Sequence, residues 1–200
     1  MLTPFDDYPL HQAPVPVAQP MSGDPNHYDR YFFNGYDVAG GVFFAAAMGH
    51  YPNRQTVDGA FSVVHEGVEH SVFASGLMPA DRRETTVGPV TVVVDEPMRR
   101  LRVVVDAVEH GLEAEVAFTA RTVAMEEPRQ TIVDGARSVM DYTRLTQWGR
   151  WDGAVRVHGT EIAVDGGSTL GTRDRTVPPT PLGRPGVVPD GPGPVDDRLA

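Results

Sequence analysis

The sequence predicts an all-β protein built as an antiparallel barrel or sandwich. Short runs rich in β-branched and aromatic residues are separated by turn signals roughly every 8–12 residues. The valine runs at 92–94 and 103–105 are typical of strands, and residues 112–121 alternate apolar and polar side chains with a period of two. No segment shows a convincing helical period. Closure into a barrel would remove the unpaired strand edges that promote aggregation.

Composition limits the classes of function. The chain has 200 residues, no cysteine and a net charge of -10, with arginine as its only strongly basic residue type. The lack of cysteine excludes disulfides and thiolate metal sites, and the negative charge argues against nucleic acid as a partner. The N-terminus lacks the pattern of a secretory signal, and no stretch is apolar enough to span a bilayer. We therefore expect a cytoplasmic protein without stable membrane insertion.

Proline content divides the chain into three parts. Residues 1–28 contain six prolines and are predicted to form an irregular arm that lies on the barrel. Residues 29–175 hold the strand-like runs and are predicted to form the β domain. Residues 176–200 contain seven prolines and four glycines, and are expected to be disordered because they cannot bury enough apolar surface. This tail is either native or the product of a reading frame lost after Arg175.

Turn signals place the hairpins. We predict turns at 37–41, 66–68, 134–135 and 159–160, each supplied by glycine. Another tight turn is expected near 148–150, where two strand-like runs meet. The segment Gly171-Thr-Arg-Asp-Arg175 is predicted to be a charged bend in which Arg173 and Asp174 form an ion pair. Arg82 and Arg83 are expected to be solvated in a loop.

Several motifs resemble one protein family. They are Tyr31-Phe-Phe-Asn-Gly-Tyr36, Gly49-His-Tyr-Pro-Asn-Arg54, Arg99-Arg-Leu-Arg-Val-Val-Val-Asp106 followed by Glu109-His-Gly-Leu112, Met140-Asp-Tyr-Thr-Arg-Leu-Thr-Gln147, Gly149-x-Trp-x-Gly153 and Gly171-Thr-Arg-Asp-Arg175. Across residues 25–175 the chain resembles the first half of proteins related to carotenoid 1,2-hydratases (hydroxyneurosporene synthases). This resemblance implies a lipocalin-like fold and a hydrophobic, isoprenoid-like or polyketide-like ligand. In the family the last motif continues Ser-Trp-Gly, whereas here Thr176-Val-Pro-Pro-Thr follows, and the likeness stops.

Two carboxylates are candidate catalytic residues, Asp141 and Asp174. Hydration of an alkene needs an acid that can protonate carbon, and a carboxylic acid kept neutral in an apolar cavity suits that step. The alternative is that both are surface acids or ion-pair partners. The resemblance implies that the main acid machinery of the hydratases lies in a second half, which this chain does not contain.

Aromatic side chains and one arginine are the candidate ligand-binding residues: Tyr36, Phe44, Tyr142, Trp148, Trp151 and Arg173. A barrel of about eight strands can hold one small ligand. The alternative is that the rings fill the core. The seven histidines show no metal-ligand spacing, and His65 and His70 across one hairpin lack a third ligand. No phosphate-binding loop occurs, so we predict neither metal nor cofactor.

Three functions remain open at this point. The first is a barrel that binds a hydrophobic small molecule and forms the first half of a hydratase-related protein. The second is a complete hydratase or isomerase acting on a hydrophobic alkene, and the third is a truncated product without activity. The expected partners are a small hydrophobic ligand and either a second lipocalin-like half or further copies of the chain.

Overall fold

A computed structural model describes residue 14 and residues 16–180, and it confirms the all-β prediction. In this part of the chain there is no α-helix, and no helix is long and apolar enough to cross a membrane. The strands are β1 Asp29–Asp37, β2 Val42–Tyr51, β3 Thr56–His65, β4 Val68–Leu77, β5 Thr86–Val87, β6 Val90–Glu96, β7 Arg100–Ala107, β8 Leu112–Ala120, β9 Met125–Glu126, β10 Gln130–Asp134, β11 Arg137–Val157, β12 Thr160–Val164 and β13 Thr169–Thr180.

The strands form one antiparallel sheet that curls into a nearly closed barrel. Within the described residues the order is β4-β3-β2-β1-β13-β11-β8-β7-β6-β5, and β9, β10 and β12 also pair with β11. The two end strands of this path approach each other through side chains rather than through a hydrogen-bonded ladder. A Cβ at Gly88, next to β5, would lie 2.7 Å from the Cβ of Ala74 in β4. The sheet is therefore closed by packing at this seam.

Glycine in the turns fixes the hairpins, as the sequence predicted. Glu66 and Gly67 join β3 to β4 with φ of 51° and 78°. Positive φ at both central residues is the requirement of the two-residue turn whose twist matches paired strands. Gly135 and Gly159 occupy the corresponding predicted turns at 134–135 and 159–160, with φ of 59° and 84°.

Two predictions about the last third of the chain are wrong. The tight turn expected near 148–150 is absent, because β11 continues unbroken from Arg137 to Val157. The charged bend at 171–175 is also absent, since these residues lie within β13. Neighbouring residues of a strand point to opposite faces of the sheet. Arg173 therefore points into the barrel and Asp174 points outward, and they form no ion pair.

The two ends of the chain are described in part. Residues 16–28 are irregular and lie against the barrel, where Asn53 donates hydrogen bonds to the carbonyls of Ser22 at 2.7 Å and Asp24 at 2.6 Å. The last strand continues to Thr180, five residues past the predicted domain boundary at 175. Residues 1–13, 15 and 181–200 lie outside the described residues, and the proposed loss of reading frame stays a prediction.

Trp151 is the centre of the barrel interior. Its side chain is fully buried, and the rings of Phe33, Phe44 and Phe118 meet it edge to face with centroids 5.9, 5.1 and 5.4 Å away. Aromatic rings favour this arrangement because the positive edge of one ring faces the negative face of another. The indole N–H donates to the carbonyl of Asn34 at 2.7 Å, so the polar atom of the ring is satisfied. These rings fill the middle of the barrel.

A row of three glycines makes room for this cluster. Gly35, Gly171 and Gly149 are direct cross-strand neighbours on β1, β13 and β11. A Cβ at Gly35 would overlap the Phe44 ring, and one at Gly149 would overlap the Phe118 ring. A Cβ at Gly171 would overlap the backbone of β1 and lie 2.5 Å from the indole nitrogen of Trp151. Gly149 is thus a packing position, which is why it does not form a turn.

Replacing Gly171 tests this arrangement. Gly171→Ala should lower the free energy of unfolding by about 3 kcal/mol, because the added methyl group overpacks the core against backbone that cannot move away. Gly23→Ala is the matched control, since a Cβ there meets nothing within 4 Å, and it should change stability by less than about 0.5 kcal/mol. Urea denaturation of both variants measures the difference. Equal stabilities would show that the glycine row is not required.

Candidate functional site

A cavity of about 510 Å³ opens where β1 begins and β2 ends, next to the point where β13 stops pairing with β1. Asp29, Tyr31, His50 and Arg175 line it from these three strands. Asp29 is the register partner of His50, and Tyr31 is the partner of Arg175. Residues 29 and 31 share the face of β1 that carries buried Phe33, because side chains alternate along a strand. The sheet therefore directs these four side chains towards one end of the barrel.

A second cavity of about 770 Å³ adjoins the first. Tyr31, Arg82 and Thr85 line both cavities. The second cavity follows β6, where it is bordered by Val92, Val93, Val94 and, from the preceding loop, Pro79. The first cavity thus carries most of the charged groups, and the second adds an apolar wall. Together we call them the mouth cavities.

His50 is a buried titratable side chain of the first cavity, as is His27. It is only 5% exposed, and its Nε2 atom has no hydrogen-bond partner among the described residues. Burial lowers the pKa of His50 and nearby Arg82 lowers it further, whereas Asp29 and a hydrogen bond to the Glu84 backbone act in the opposite direction. Burial therefore favours the neutral imidazole, and because the other ring nitrogen bonds to the Glu84 backbone, Nε2 is left to accept a proton.

Positive charge outweighs negative charge around this imidazole. Among the described residues that line the first cavity, Arg30, Arg82 and Arg175 face a single aspartate, Asp29. Arg175 Nη2 lies 3.2 Å from Asp29 Oδ1 in a partly exposed ion pair. Such a pair contributes about 0–1 kcal/mol. The cavity is cationic even though the whole chain has a net charge of -10.

Arg82 joins the cavity to the N-terminal arm. The sequence predicted a solvated side chain, but its guanidinium donates to the carbonyl of Ala18 at 2.9 Å and contacts the sulfur of Met78 at 3.0 Å. Burial lowers the pKa of Arg82. The prediction failed because the carbonyl partner comes from an arm more than 60 residues away. Arg83 is exposed and pairs with Asp81 at 2.7 Å, as expected of a solvated residue.

Three of the predicted ligand-binding residues lie inside the barrel. Phe44 and Trp151 belong to the packed core, which agrees with the core-filling alternative. Arg173 is 4% exposed, and its Nε donates to Gln147 Oε1 at 2.8 Å. Burial lowers the pKa of Arg173, while the Tyr31 phenol raises it. Arg173 occupies the next inward-facing position of β13, two residues before the cavity residue Arg175 and closer to the barrel centre.

The other predicted residues lie away from the mouth cavities. Tyr36 and Trp148 are 45% exposed, and the alternation of their strands places both on the outer face. Tyr142 is buried on β11, and its hydroxyl donates to Gln130 Oε1 at 2.5 Å. The structure does not bring these rings together with Phe44 and Trp151. Their role in binding a ligand stays a prediction.

The two carboxylates predicted to be catalytic are also outside the mouth cavities. Asp141 accepts hydrogen bonds from both Arg129 and Thr131, in the hairpin of β10 and β11. Asp174 is half-buried on the outer face, and burial raises its pKa. Its side chain accepts a hydrogen bond from Thr176 at 3.3 Å. Their catalytic roles remain untested predictions.

Sequence reasoning missed His50 and Arg82 as site residues. His50 lies in the motif Gly49-His-Tyr-Pro-Asn-Arg54, and β2 includes it and ends at Tyr51. A polar residue at the buried end of an apolar strand was the available signal. Within the described residues, no group of three or more His, Asp or Glu side chains could hold a metal ion. His70 packs instead on His158, with ring centroids 5.3 Å apart.

The fold is a nearly closed antiparallel β-barrel with two adjoining cavities at one end. The chain belongs to a family of unknown function, DUF8625, whose model matches residues 2–186. No curated protein sequence matches it.

Two solved structures share the fold. Kievitone hydratase from Nectria haematococca has 14% sequence identity and a TM-score of 0.58, covering 76% of this chain and 48% of its own. A candidate ATTH protein from Nitrosomonas europaea has 12% identity and a TM-score of 0.60, covering 86% of this chain and 60% of its own. The chain therefore spans about half to three-fifths of these structures.

Acid titration tests the environment of His50. The pKa of this residue should lie below the usual value of about 6.5. The unfolded chain then binds a proton that the folded chain does not, so stability is lost as pH falls below about 6.5 towards the folded pKa. NMR of the ring protons gives the pKa, and urea denaturation between pH 7 and pH 5 gives the loss.

His50→Gln should remove the part of the stability loss at acidic pH that comes from protonation of His50. The control His110→Gln, at an exposed residue, should retain it. A wild-type pKa for His50 at or above the usual value would contradict the buried, neutral imidazole.

Proposed function

We propose that this chain binds a hydrophobic small molecule in the mouth cavities of its barrel. The observation that carries the proposal is the pair of adjoining cavities, of about 510 and 770 Å³, at one end of an otherwise packed interior. Each lies in the range of roughly 300–1,000 Å³ that is usual for small-molecule sites. The ligand sits at the mouth, because Trp151 and its neighbouring rings occupy the centre.

The ligand class is isoprenoid-like or polyketide-like, and the protein is related to hydratases. The sequence motifs support this through their resemblance to the carotenoid hydratases, and one fold neighbour is named a hydratase. The chain covers 48% and 60% of the two neighbouring structures, which fits a role as the first half of a larger assembly. Pairing with a second lipocalin-like half, or with further copies, is part of the proposal.

A second candidate function is hydratase or isomerase activity, and His50 favours it. A buried neutral imidazole whose Nε2 has no partner among the described residues can move a proton to or from a bound molecule. Arg82 and Arg175 line the same cavity and can bind a polar oxygen of the ligand. This assignment transfers the acid–base role from Asp141 and Asp174 to His50.

Native mass spectrometry after incubation with broad lipid and polyketide extracts tests the binding function. We expect one hydrophobic molecule per barrel. Val94→Trp should reduce occupancy by about tenfold, because an indole on the wall of the second cavity competes with the ligand for space. Val68→Trp, at an exposed position of β4, is the matched control and should bind like the wild type. An empty barrel across all extracts would count against the proposal.

The enzymatic alternative is tested with the molecule recovered from those extracts. Hydration in ¹⁸O-labelled water should place the label in the product, and His50→Gln should reduce the rate at least about 100-fold, as expected for loss of a general acid or base. The variants Asp141→Asn and Asp174→Asn should retain activity. Loss of activity in either aspartate variant but not in His50→Gln would return the catalytic role to the carboxylates.

A further inference from the structure

We infer that the preferred ligand is an amphipathic carboxylate, whose head group binds Arg82 and Arg175 beside His50 and whose apolar chain follows Val92–Val94. This inference deepens the proposed function and rests on it, because it names the chemical class held by the mouth cavities. Three features of the two cavities support it: their charges, their hydrogen-bonding groups and their walls.

The first argument is the charge balance at the head of the site. Asp29 pairs with Arg175, which leaves the guanidinium of Arg82 without a carboxylate partner at ion-pair distance among the described residues. Arg173, one inward position deeper, also has no such partner. A buried cation without a counter-ion is unfavourable, and a bound anion offsets that cost. The excess positive charge favours a negatively charged head group.

The second argument is the hydrogen-bonding capacity that remains. A guanidinium carries five N–H donors, and Arg82 uses Nη1 and Nη2 for one neutral contact each. Arg175 contacts Asp29 through Nη2 alone. Both can therefore donate further to a carboxylate in the cavity, a pairing that arginine makes with two oxygens at once. His50 adds Nε2, because a carboxylate nearby favours the protonated ring, which then donates to it.

The third argument is the wall that continues from the head of the site. Tyr31, Arg82 and Thr85 border both cavities, so a ligand that contacts Arg82 can extend directly into the second one. There Val92 and Val94 share one face of β6, and Val94, which is 44% exposed, offers apolar surface to the ligand. Burying apolar chain against these side chains contributes roughly 25 cal/mol per Å². A charged head and an apolar chain thus fit adjacent parts of one site.

Isothermal titration calorimetry with decanoate and decan-1-ol, each below its aggregation limit, tests the inference. The two probes share an apolar chain and differ in the charge of the head group. Decanoate should bind at least about tenfold more tightly, as expected for one or two charge-assisted hydrogen bonds. Arg82→Gln should abolish this preference, so that the variant binds decanoate and decan-1-ol with affinities within about twofold of each other. Arg175→Gln, at a half-exposed side chain, gives a second variant if Arg82→Gln does not fold.

Arg156→Gln is the matched control. It makes the same change of charge on the outer face, where Arg156 pairs with Glu113 and Glu161, and should keep the preference. Equal binding of the two probes would overturn the carboxylate inference and leave hydrophobic binding in place. An equal loss of preference in Arg156→Gln would also overturn it, because the preference would then depend on the net charge of the protein and not on the cavity arginines. Failure of both probes overturns the inference, while the extract experiment decides the proposed function separately.

Discussion

The packing of Trp151, Phe44 and Phe118 against three glycines is the constraint on which the rest of the barrel depends. Gly35, Gly171 and Gly149 let β1, β13 and β11 pass directly under the aromatic cluster. The indole N–H to Asn34 fixes the orientation of the ring across the sheet. Because these rings fill the centre, the described part of the chain leaves space for a ligand at the end of the barrel, where β1 begins. Packing in the middle thereby determines where a function can reside.

The mouth cavities combine features that a purely structural barrel does not need. A nearly buried imidazole, two arginines without full charge compensation and a valine wall lie together at one end. Each is costly or neutral for folding on its own, since buried polar groups without partners reduce stability. The described N-terminal arm contributes the Ala18 carbonyl to Arg82 and so completes the cavity wall. Local features that lower the stability of the fold in this way are common at binding sites.

The sequence predicted those features that depend on local residues. Turn glycines such as Gly67 and Gly135 identified hairpins, and the alternation along 112–120 identified the inner face of β8. The sequence-based prediction failed where the role of a residue depends on another residue far away in the sequence. Gly149 resembles a turn residue, yet it accommodates a ring from β8. Arg82 resembles a solvated residue, yet its carbonyl partner lies 64 positions earlier. The site was missed because its parts come from several strands, a loop and the arm.

A crystal structure with 10-bromodecanoate tests most directly whether the mouth cavities are the binding site. We expect anomalous bromine density beside Val92–Val94, a carboxylate within hydrogen-bond distance of Arg82, and unmoved rings around Trp151. Bromine density in the barrel centre with those rings displaced would contradict it, as would density confined to the outer face near Tyr36 or Trp148.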